Sequence, residues 1–188
     1  MELKERIIIK ADNKDELKAA AILKEELSAR ITVEFITESQ NKNADVIFNT
    51  NSDFNKDEYE LSVNNENINI YAYGIRGFIF AIGLILRKSV VKDDKILVPN
   101  EISGKYAPEM KIRGHQLGYR TTPNTYDAWD YEQYRRYYLE LMYFGMNTVE
   151  HIPYEKGKTF CFSRIHNTAY SNINQIIPLT NNRSSNTP

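Results

Sequence analysis

The chain has 188 residues, of which 41% are hydrophobic and 26% are charged, and its formal net charge is −1. This length accommodates one domain or two small ones, and the composition is ordinary for a globular protein with a core of domain size. The near-neutral charge offers no electrostatic basis for binding nucleic acid or an anionic membrane, because such binders normally carry a clustered basic face. We therefore expect neither partner.

The remaining composition also points away from a disulfide framework, a metal site or a cofactor. Cys161 is the single cysteine, so it has no partner for an intramolecular disulfide or a cysteine metal cluster. Residues 1–13 (MELKERIIIKADN) lack the basic segment and long apolar run of an export signal, and no window reaches the apolar length of a membrane span. Localisation stays open, because a secreted parent with its signal removed would have the same sequence.

The first elements of the chain alternate between strand and helix patterns. Arg6–Ala11 is apolar and β-branched, which predicts a strand buried on both faces. Asn13 and Glu16 stand at capping-box spacing, and apolar residues recur at helical intervals after them, which predicts an amphipathic helix. Ile31–Thr37 and Asp45–Thr50 each predict a further strand.

A hairpin and a buried helix are predicted next. Tyr59–Gly74 contains two alternating runs joined by asparagine-rich residues that tolerate positive φ, so it predicts a β-hairpin. From Gly74 the apolar residues cover most of the circumference of a helix, which must be buried against the sheet. Gly77 and Gly83 are expected to let this helix approach the sheet closely, since their spacing does not match a dinucleotide-binding fingerprint.

The first part of the chain is expected to end with a short strand and a linker. Val90–Ser103 predicts one more strand, with Pro99 forcing an extended or turning chain beside it. Lys105–Glu109 predicts a linker. Residues 1–104 are therefore expected to form an N-terminal α/β sandwich, in which two helices pack on a mixed sheet.

A polar cluster ends the apolar run in Met110–Arg120 (MKIRGHQLGYR). Such side chains are costly to bury without partners, so they suit a strand end that opens into a cleft. A loop follows, then a helix that begins at Asp130 and ends at Gly145, then a strand at Met146–Pro153. Strand, helix and strand form one βαβ unit, the building block of a parallel barrel.

The second part of the chain is accordingly expected to be α/β as well. Residues 105–155 are predicted to form an incomplete (β/α) TIM-barrel segment, beginning with the strand that contains the polar cluster. Residues 156–188 show no sustained helical period and end in a polar run rich in asparagine and serine, which predicts an irregular tail.

The order of these features resembles α-glucuronidases and β-hexosaminidases, where an N-terminal domain runs into the catalytic barrel. Those enzymes have a buried helix after a hairpin, similar to GIRGFIFAIGLILRK here. A proline followed by an arginine–glycine pair marks their first barrel strand, and Pro108, Arg113 and Gly114 match it. FGMNTVEH at Phe144–His151 looks like their second barrel strand, in which a Met-Asn pair precedes a histidine. The resemblance covers roughly Glu5–Pro153.

The resemblance implies a set of carbohydrate-binding residues. By it, Arg113 binds sugar hydroxyls or a uronate carboxylate through its rigid fork of donors, and His151 lines the site. His115, Gln116 and Tyr119 join the set by position, because functional groups gather at the carboxyl ends of barrel strands.

Aromatic residues in the first βα loop complete the predicted site, and structural alternatives stay open. Trp129 and Tyr126 are suited to stack on a sugar ring, but Trp129 fits equally as an anchor at the start of the helix. Arg113 can instead pair with Glu109 or Asp127, in which case its role is structural.

The implied function is that of a glycoside hydrolase fragment with a carbohydrate ligand. Glycoside hydrolysis normally needs two positioned carboxyl groups, and a complete barrel takes about 250 residues, far more than follow Lys111. Glu150, beside His151, suggests a catalytic carboxylate, but the acids of the matching enzymes come from later strands. We therefore expect no catalytic residue and no activity of the chain alone. The alternative is a non-catalytic carbohydrate-binding or scaffold module that self-associates through exposed strand edges.

Overall fold

The computed structural model describes residues 1–3, 6–32, 34–38, 43–117, 129–151 and 171–172, with residues 38, 116, 117, 150, 151, 171 and 172 described by their backbone alone. These residues form a mixed α/β structure with three α-helices. In chain order the elements are β1 (Glu2–Leu3), β2 (Arg6–Lys10), α1 (Lys14–Ser28), β3 (Glu34–Glu38), β4 (Val46–Thr50), β5 (Tyr59–Val63), β6 (Ile68–Ala72), α2 (Ile75–Lys88), β7 (Val90–Lys92), β8 (Lys95–Leu97), β9 (Gly104–Tyr106), β10 (Gly114–Leu117), α3 (Tyr131–Tyr143), β11 (Thr148–His151) and β12 (Ser171–Asn172).

The main sheet has six strands in the order β3-β2-β4-β6-β5-β9. The first four are parallel, and β5 and β9 are antiparallel to their neighbours, so the predicted mixed sheet is confirmed. The predicted hairpin is confirmed as β5–β6, with Tyr59 opposite Ala72 and Val63 opposite Ile68. The predicted capping box of α1 is also present, between Asn13 and Glu16.

The segment Val90–Ser103 differs from the single strand that was predicted. It contains the hairpin β7–β8 and a short 3-10 helix at Asn100–Ile102. Asp93 and Asp94 form the turn with φ of 51° and 58°, a backbone geometry that matches the twist of paired strands. β8 also pairs with β1, which makes a small antiparallel sheet at the amino terminus.

The predicted linker and the start of the following strand are corrected too. Part of Lys105–Glu109 is not a linker, because Lys105 and Tyr106 belong to β9 at the edge of the main sheet. Met110 and Ile112 were expected in a strand, but they are 68% and 65% exposed, and β10 begins only at Gly114.

The helix α2 is buried, as its apolar pattern predicted, and its two glycines face different neighbours. A Cβ on Gly77 would lie 2.7 Å from the carbonyl oxygen of Glu58 and 2.8 Å from the Cβ of Ala72, so this glycine allows close packing on the sheet. A Cβ on Gly83 would instead overlap the backbone of Tyr143, 2.7 Å from its carbonyl carbon. The prediction for Gly83 is therefore wrong, because this glycine admits α3 and not the sheet.

The predicted strand–helix–strand unit is confirmed. That this unit is a segment of a TIM barrel stays a prediction. β10 and β11 are parallel and in register from Gly114 opposite Thr148 to Leu117 opposite His151. Asp130 caps α3 in a capping box, and Gly145 follows its end with φ of 83°, as predicted for a C-terminal glycine.

Helix α3 contacts β10 on one side and the helices α1 and α2 on the other. Its arginines bind α1: Arg135 forms a two-point ion pair with Glu25 (3.1 and 2.8 Å), and Arg136 pairs with Glu26. The Tyr143 hydroxyl donates to Glu26 at 3.1 Å. The apolar residues of α3 join the same core as α1 and α2. The division at residue 104 stays a prediction.

Two further observations concern the described part of the chain as a whole. None of its helices has the length and apolar character that crossing a membrane requires. Of the predicted tail, residues 171–172 form β12, whose backbone pairs with β11 at Thr148 and Val149, and the rest lies outside the described residues.

Candidate functional site

Arg113, the first predicted sugar-binding residue, lies at the amino end of β10 and not at a carboxyl end. Its Nε donates to the carbonyl of Gly145 at 2.7 Å, and its Nη1 donates to the carbonyl of Met110 at 2.5 Å. Its Nη2 donates to the Asp57 carboxylate at 2.9 Å. The side chain is only 16% exposed, so all three nitrogens of this guanidinium are engaged inside the protein.

Asp57 is the centre of a buried polar network, which we call the Asp57 cluster: Asp57, Arg76, Arg113 and Asn147. One Asp57 oxygen accepts from Arg113 and from the Asn147 amide (2.6 Å), and the other pairs with Arg76. The Asn147 amide nitrogen also donates to the carbonyl of Lys111 at 2.8 Å, and its oxygen accepts from the backbone of Arg113 at 3.0 Å. The cluster therefore ties the loop before β5 to the starts of β10 and β11.

The Asp57 cluster bears on the structural alternative for Arg113. The ion-pair partner is Asp57 and not Glu109, while Asp127 lies outside the described residues. Sequence reasoning missed Asp57 and Asn147. The signal for Asn147, which is 7% exposed, was a polar side chain just before a strand that must be buried. The sugar-binding role of Arg113 stays a prediction.

His115 and Trp129 both lie against α3. The Nδ1 atom of His115 hydrogen-bonds to the Tyr137 hydroxyl, and the two ring centroids are 5.8 Å apart. Trp129 makes edge contacts with Tyr134 and Tyr137, at 5.4 and 5.2 Å between centroids. These contacts agree with the alternative that Trp129 anchors the start of the helix. A sugar contact of either residue stays a prediction.

Two tyrosines of α3 remain protonated at neutral pH. Burial, together with the neighbouring Tyr134 and Tyr137, raises the pKa of Tyr138 to about 12. Burial and the adjacent Glu26 carboxylate raise the pKa of Tyr143 as well. Neither hydroxyl ionises near neutral pH, so neither can act as a general base there.

The carboxyl ends of the two parallel strands bring other predicted residues together. In the backbone register Gln116 is opposite Glu150, and Leu117 is opposite His151. Gln116, Glu150 and His151 therefore share the carboxyl-end edge of this pair, the edge at which parallel α/β structures usually bind ligands. Tyr119 and Tyr126 lie outside the described residues.

Comparisons with known proteins found structural neighbours but no sequence relatives. No protein-family model matches the chain, and no curated protein matches it. The structure is similar to a GH20 exo-β-N-acetylglucosaminidase from Vibrio harveyi, with a TM-score of 0.62, 22% identity, and coverage of 79% of this chain and 22% of that one. It is also similar to GH20 β-N-acetylhexosaminidase from Streptomyces coelicolor, with a TM-score of 0.61, 11% identity, and coverage of 79% and 30%.

A third neighbour, β-N-acetylhexosaminidase from Bacteroides fragilis, has a TM-score of 0.58, 14% identity, and coverage of 79% of this chain and 29% of that one. At these identities the likeness shows a shared fold. The chain spans about a quarter of the length of these enzymes. The class that the fold defines is therefore an α/β unit joined to a parallel βαβ unit, as found within β-hexosaminidases.

Proposed function

We propose that the chain is part of a β-hexosaminidase-like glycoside hydrolase, formed by an α/β accessory domain and the first strands of a catalytic barrel. The observation that carries this proposal is the likeness of the structure to such enzymes over 79% of the chain. Three of the neighbouring structures were solved with N-acetylglucosamine bound. We propose an N-acetylhexosamine as the ligand class.

The proposed carbohydrate site is the carboxyl-end edge of β10 and β11. Gln116 and His151 come to this edge through the parallel register, and we include Tyr119, which follows β10 in sequence. Arg113 is given a structural role in this proposal, because the Asp57 carboxylate and two carbonyls engage its guanidinium at the opposite end of the strand.

Titration of the full chain tests the proposed site. We expect N-acetylglucosamine to bind saturably. Glucose, which lacks the acetamido group, should bind more weakly. Glucuronic acid, the sugar of the α-glucuronidase resemblance, should also bind more weakly. The variant His151→Ala should weaken binding by about tenfold, as expected for one lost polar contact. Its matched control is His166→Ala, a histidine outside the resemblance, which should bind like the parent protein. Absence of saturable N-acetylglucosamine binding, or binding of this sugar that is unchanged in His151→Ala, would refute the proposal.

We further propose that this chain alone does not hydrolyse glycosides. Hydrolysis needs two carboxyl groups about 5–10 Å apart, one acting as the acid. At the carboxyl ends of β10 and β11, Glu150 is the one acidic residue among the residues described. We expect no release of nitrophenol from nitrophenyl N-acetylglucosaminide. Hydrolysis that disappears in Glu150→Gln would show that this chain is catalytic.

A self-associating module is the second candidate, and one observation favours it. Within the described ranges, β10 hydrogen-bonds to β11 on one side and to no strand on the other. An open strand edge offers unpaired backbone groups to another chain. Both strands were expected to have an exposed edge, but the second edge of β11 is covered by β12. Sedimentation velocity at several concentrations would detect the association, and a monomer at every concentration would count against it.

A further inference from the structure

A second concave site lies at the amino ends of β10 and β11, opposite to the proposed carbohydrate site. It is a cleft of about 410 Å³ between the edge of the main sheet and the turn that follows α3. We call it the aromatic cleft. Its lining includes Tyr59, Arg87, Tyr106, Pro108, Arg113 and Phe144.

Two tyrosines form one wall of the aromatic cleft. The rings of Tyr59 and Tyr106 are stacked, with centroids 4.9 Å apart and planes inclined by 15°. The Tyr106 hydroxyl donates to the carbonyl of Ile102 at 2.8 Å. The Tyr59 hydroxyl has no hydrogen-bond partner among the residues that the structure describes, and burial beside Tyr106 raises its pKa to about 12. It is therefore a neutral donor on a residue that lines the cleft.

Arg87 supplies a positive charge to the cleft, near enough to Tyr59 for each residue to influence the pKa of the other. Its guanidinium carbon lies 4.7 Å from the centre of the Phe144 ring, which is 70% exposed. Within the described part of the chain, Arg87 has no carboxylate at ion-pair distance. Partial burial lowers the pKa of its guanidinium, as expected for a cation without an opposite charge beside it.

The other charges around the aromatic cleft do not neutralise Arg87. The Asp57 carboxylate is shared by Arg76 and Arg113, so it is already matched by two cations. Lys105, at the rim, lies with its ammonium 4.5 Å from the centre of the Phe54 ring, and its charge acts on the nearby Glu58 carboxylate, which does not line the cleft. The cleft therefore has a net positive charge, with a free hydroxyl donor and exposed aromatic surface.

We propose that the aromatic cleft binds a small organic acid, with its carboxylate on Arg87 and the Tyr59 hydroxyl and its ring against Phe144. A planar guanidinium matches a carboxylate with two parallel hydrogen bonds, and a six-membered ring can pack on an exposed aromatic face. Aromatic acids and sugar acids both combine a carboxylate with a six-membered ring. This site is independent of the proposed carbohydrate site, because the two lie at opposite ends of the same strands.

Calorimetric titration of the full chain at fixed ionic strength tests the proposal. The probes are sodium benzoate and sodium glucuronate, and benzamide and methyl glucoside are their uncharged counterparts. We expect at least one carboxylate to bind saturably, and its uncharged counterpart to bind about tenfold more weakly or not at all. Preference for benzoate identifies an aromatic acid as the ligand class, and preference for glucuronate identifies a sugar acid.

Variants then locate the binding. Arg87→Met keeps the apolar stem on Phe144 but removes the charge, so it should weaken carboxylate binding by about tenfold or more. Lys88→Met, its neighbour outside the cleft, is the matched control and should bind like the parent. If circular dichroism shows that Arg87→Met is misfolded, Tyr59→Phe removes only the hydroxyl and should weaken binding several-fold.

Three results would overturn the proposal. These are no saturable binding of either carboxylate, equal binding of the uncharged counterparts, or unchanged binding in a folded Arg87→Met or Tyr59→Phe variant. His151→Ala should leave carboxylate binding unchanged. If it abolishes that binding, the acid occupies the proposed carbohydrate site and not the aromatic cleft.

Discussion

The substitution Asp57→Ala should strongly destabilise the protein by removing the centre of the Asp57 cluster. Its carboxylate is 12% exposed, and the Arg76 and Arg113 side chains that it binds are 14% and 16% exposed. Removing one partner of a buried ion pair typically costs about 3–5 kcal/mol, because a buried charge is left without compensation. Partial solvent access reduces this cost, so we expect a loss of about 3 kcal/mol in the free energy of unfolding.

Urea denaturation measures this loss with two probes. For a protein of this size the dependence of the unfolding free energy on urea is about 1–3 kcal/mol per M, so the midpoint should fall by about 1–3 M. Trp129 is the single tryptophan and lies beside α3, so its fluorescence reports on the βαβ unit. Circular dichroism reports on the whole chain. Since Asp57 joins the two regions, we expect the fluorescence transition to precede the circular dichroism transition in the variant.

The control and the refuting outcome come from the same loop. Asp53 is exposed, so Asp53→Ala should change the free energy of unfolding by no more than about 0.5 kcal/mol. Asp57→Asn keeps the shape but not the charge, and we expect it to lie between the two. If Asp57→Ala destabilises no more than Asp53→Ala, the cluster does not hold the two regions together.

Two further substitutions test the packing and the pH dependence. Gly83→Ala places a methyl group on the backbone of Tyr143, so we expect a loss of about 1–3 kcal/mol in thermal unfolding, which an unchanged Tm would contradict. Burial acts to raise the pKa of Glu16, but hydrogen bonds from the preceding backbone and from Thr50 outweigh it and lower the pKa. Its contribution is therefore present above about pH 4.5 and lost as pH falls through the lowered value. Glu16→Gln should cost about 2 kcal/mol at pH 7 and less near pH 3, whereas exposed Glu66→Gln should follow the parent at every pH.

The elements that sequence analysis predicted well are those whose cause is local. The capping boxes at Asn13 and Asp130 need only residues three positions apart, and the hairpin of β5 and β6 needs only two alternating runs and a turn. The apolar circumference of α2 requires burial whatever its neighbours are. Such features are decided within a few residues, so one sequence is enough to find them.

The features that were missed depend on partners far away in the chain. Gly83 was expected to face the sheet, but it faces α3. Its neighbour there is Tyr143, which lies 60 residues later in the chain. Lys105 and Tyr106 have the composition of a linker, and they become a strand only because β5 offers an open edge. Short edge strands have little sequence signature of their own.

Arg113 shows why the candidate site was only partly predictable. A polar residue at the boundary of an apolar strand can face a ligand or a protein carboxylate, and the two cases have the same local sequence. The choice is made by Asp57, 56 residues earlier, together with the carbonyls of Met110 and Gly145. These partners engage the guanidinium of Arg113 at the amino end of β10, so the proposed carbohydrate site is placed at the carboxyl end of the strand pair. The edge with Gln116 and His151 therefore lies at the end of the strand pair opposite to the aromatic cleft, and the two proposed sites are separate.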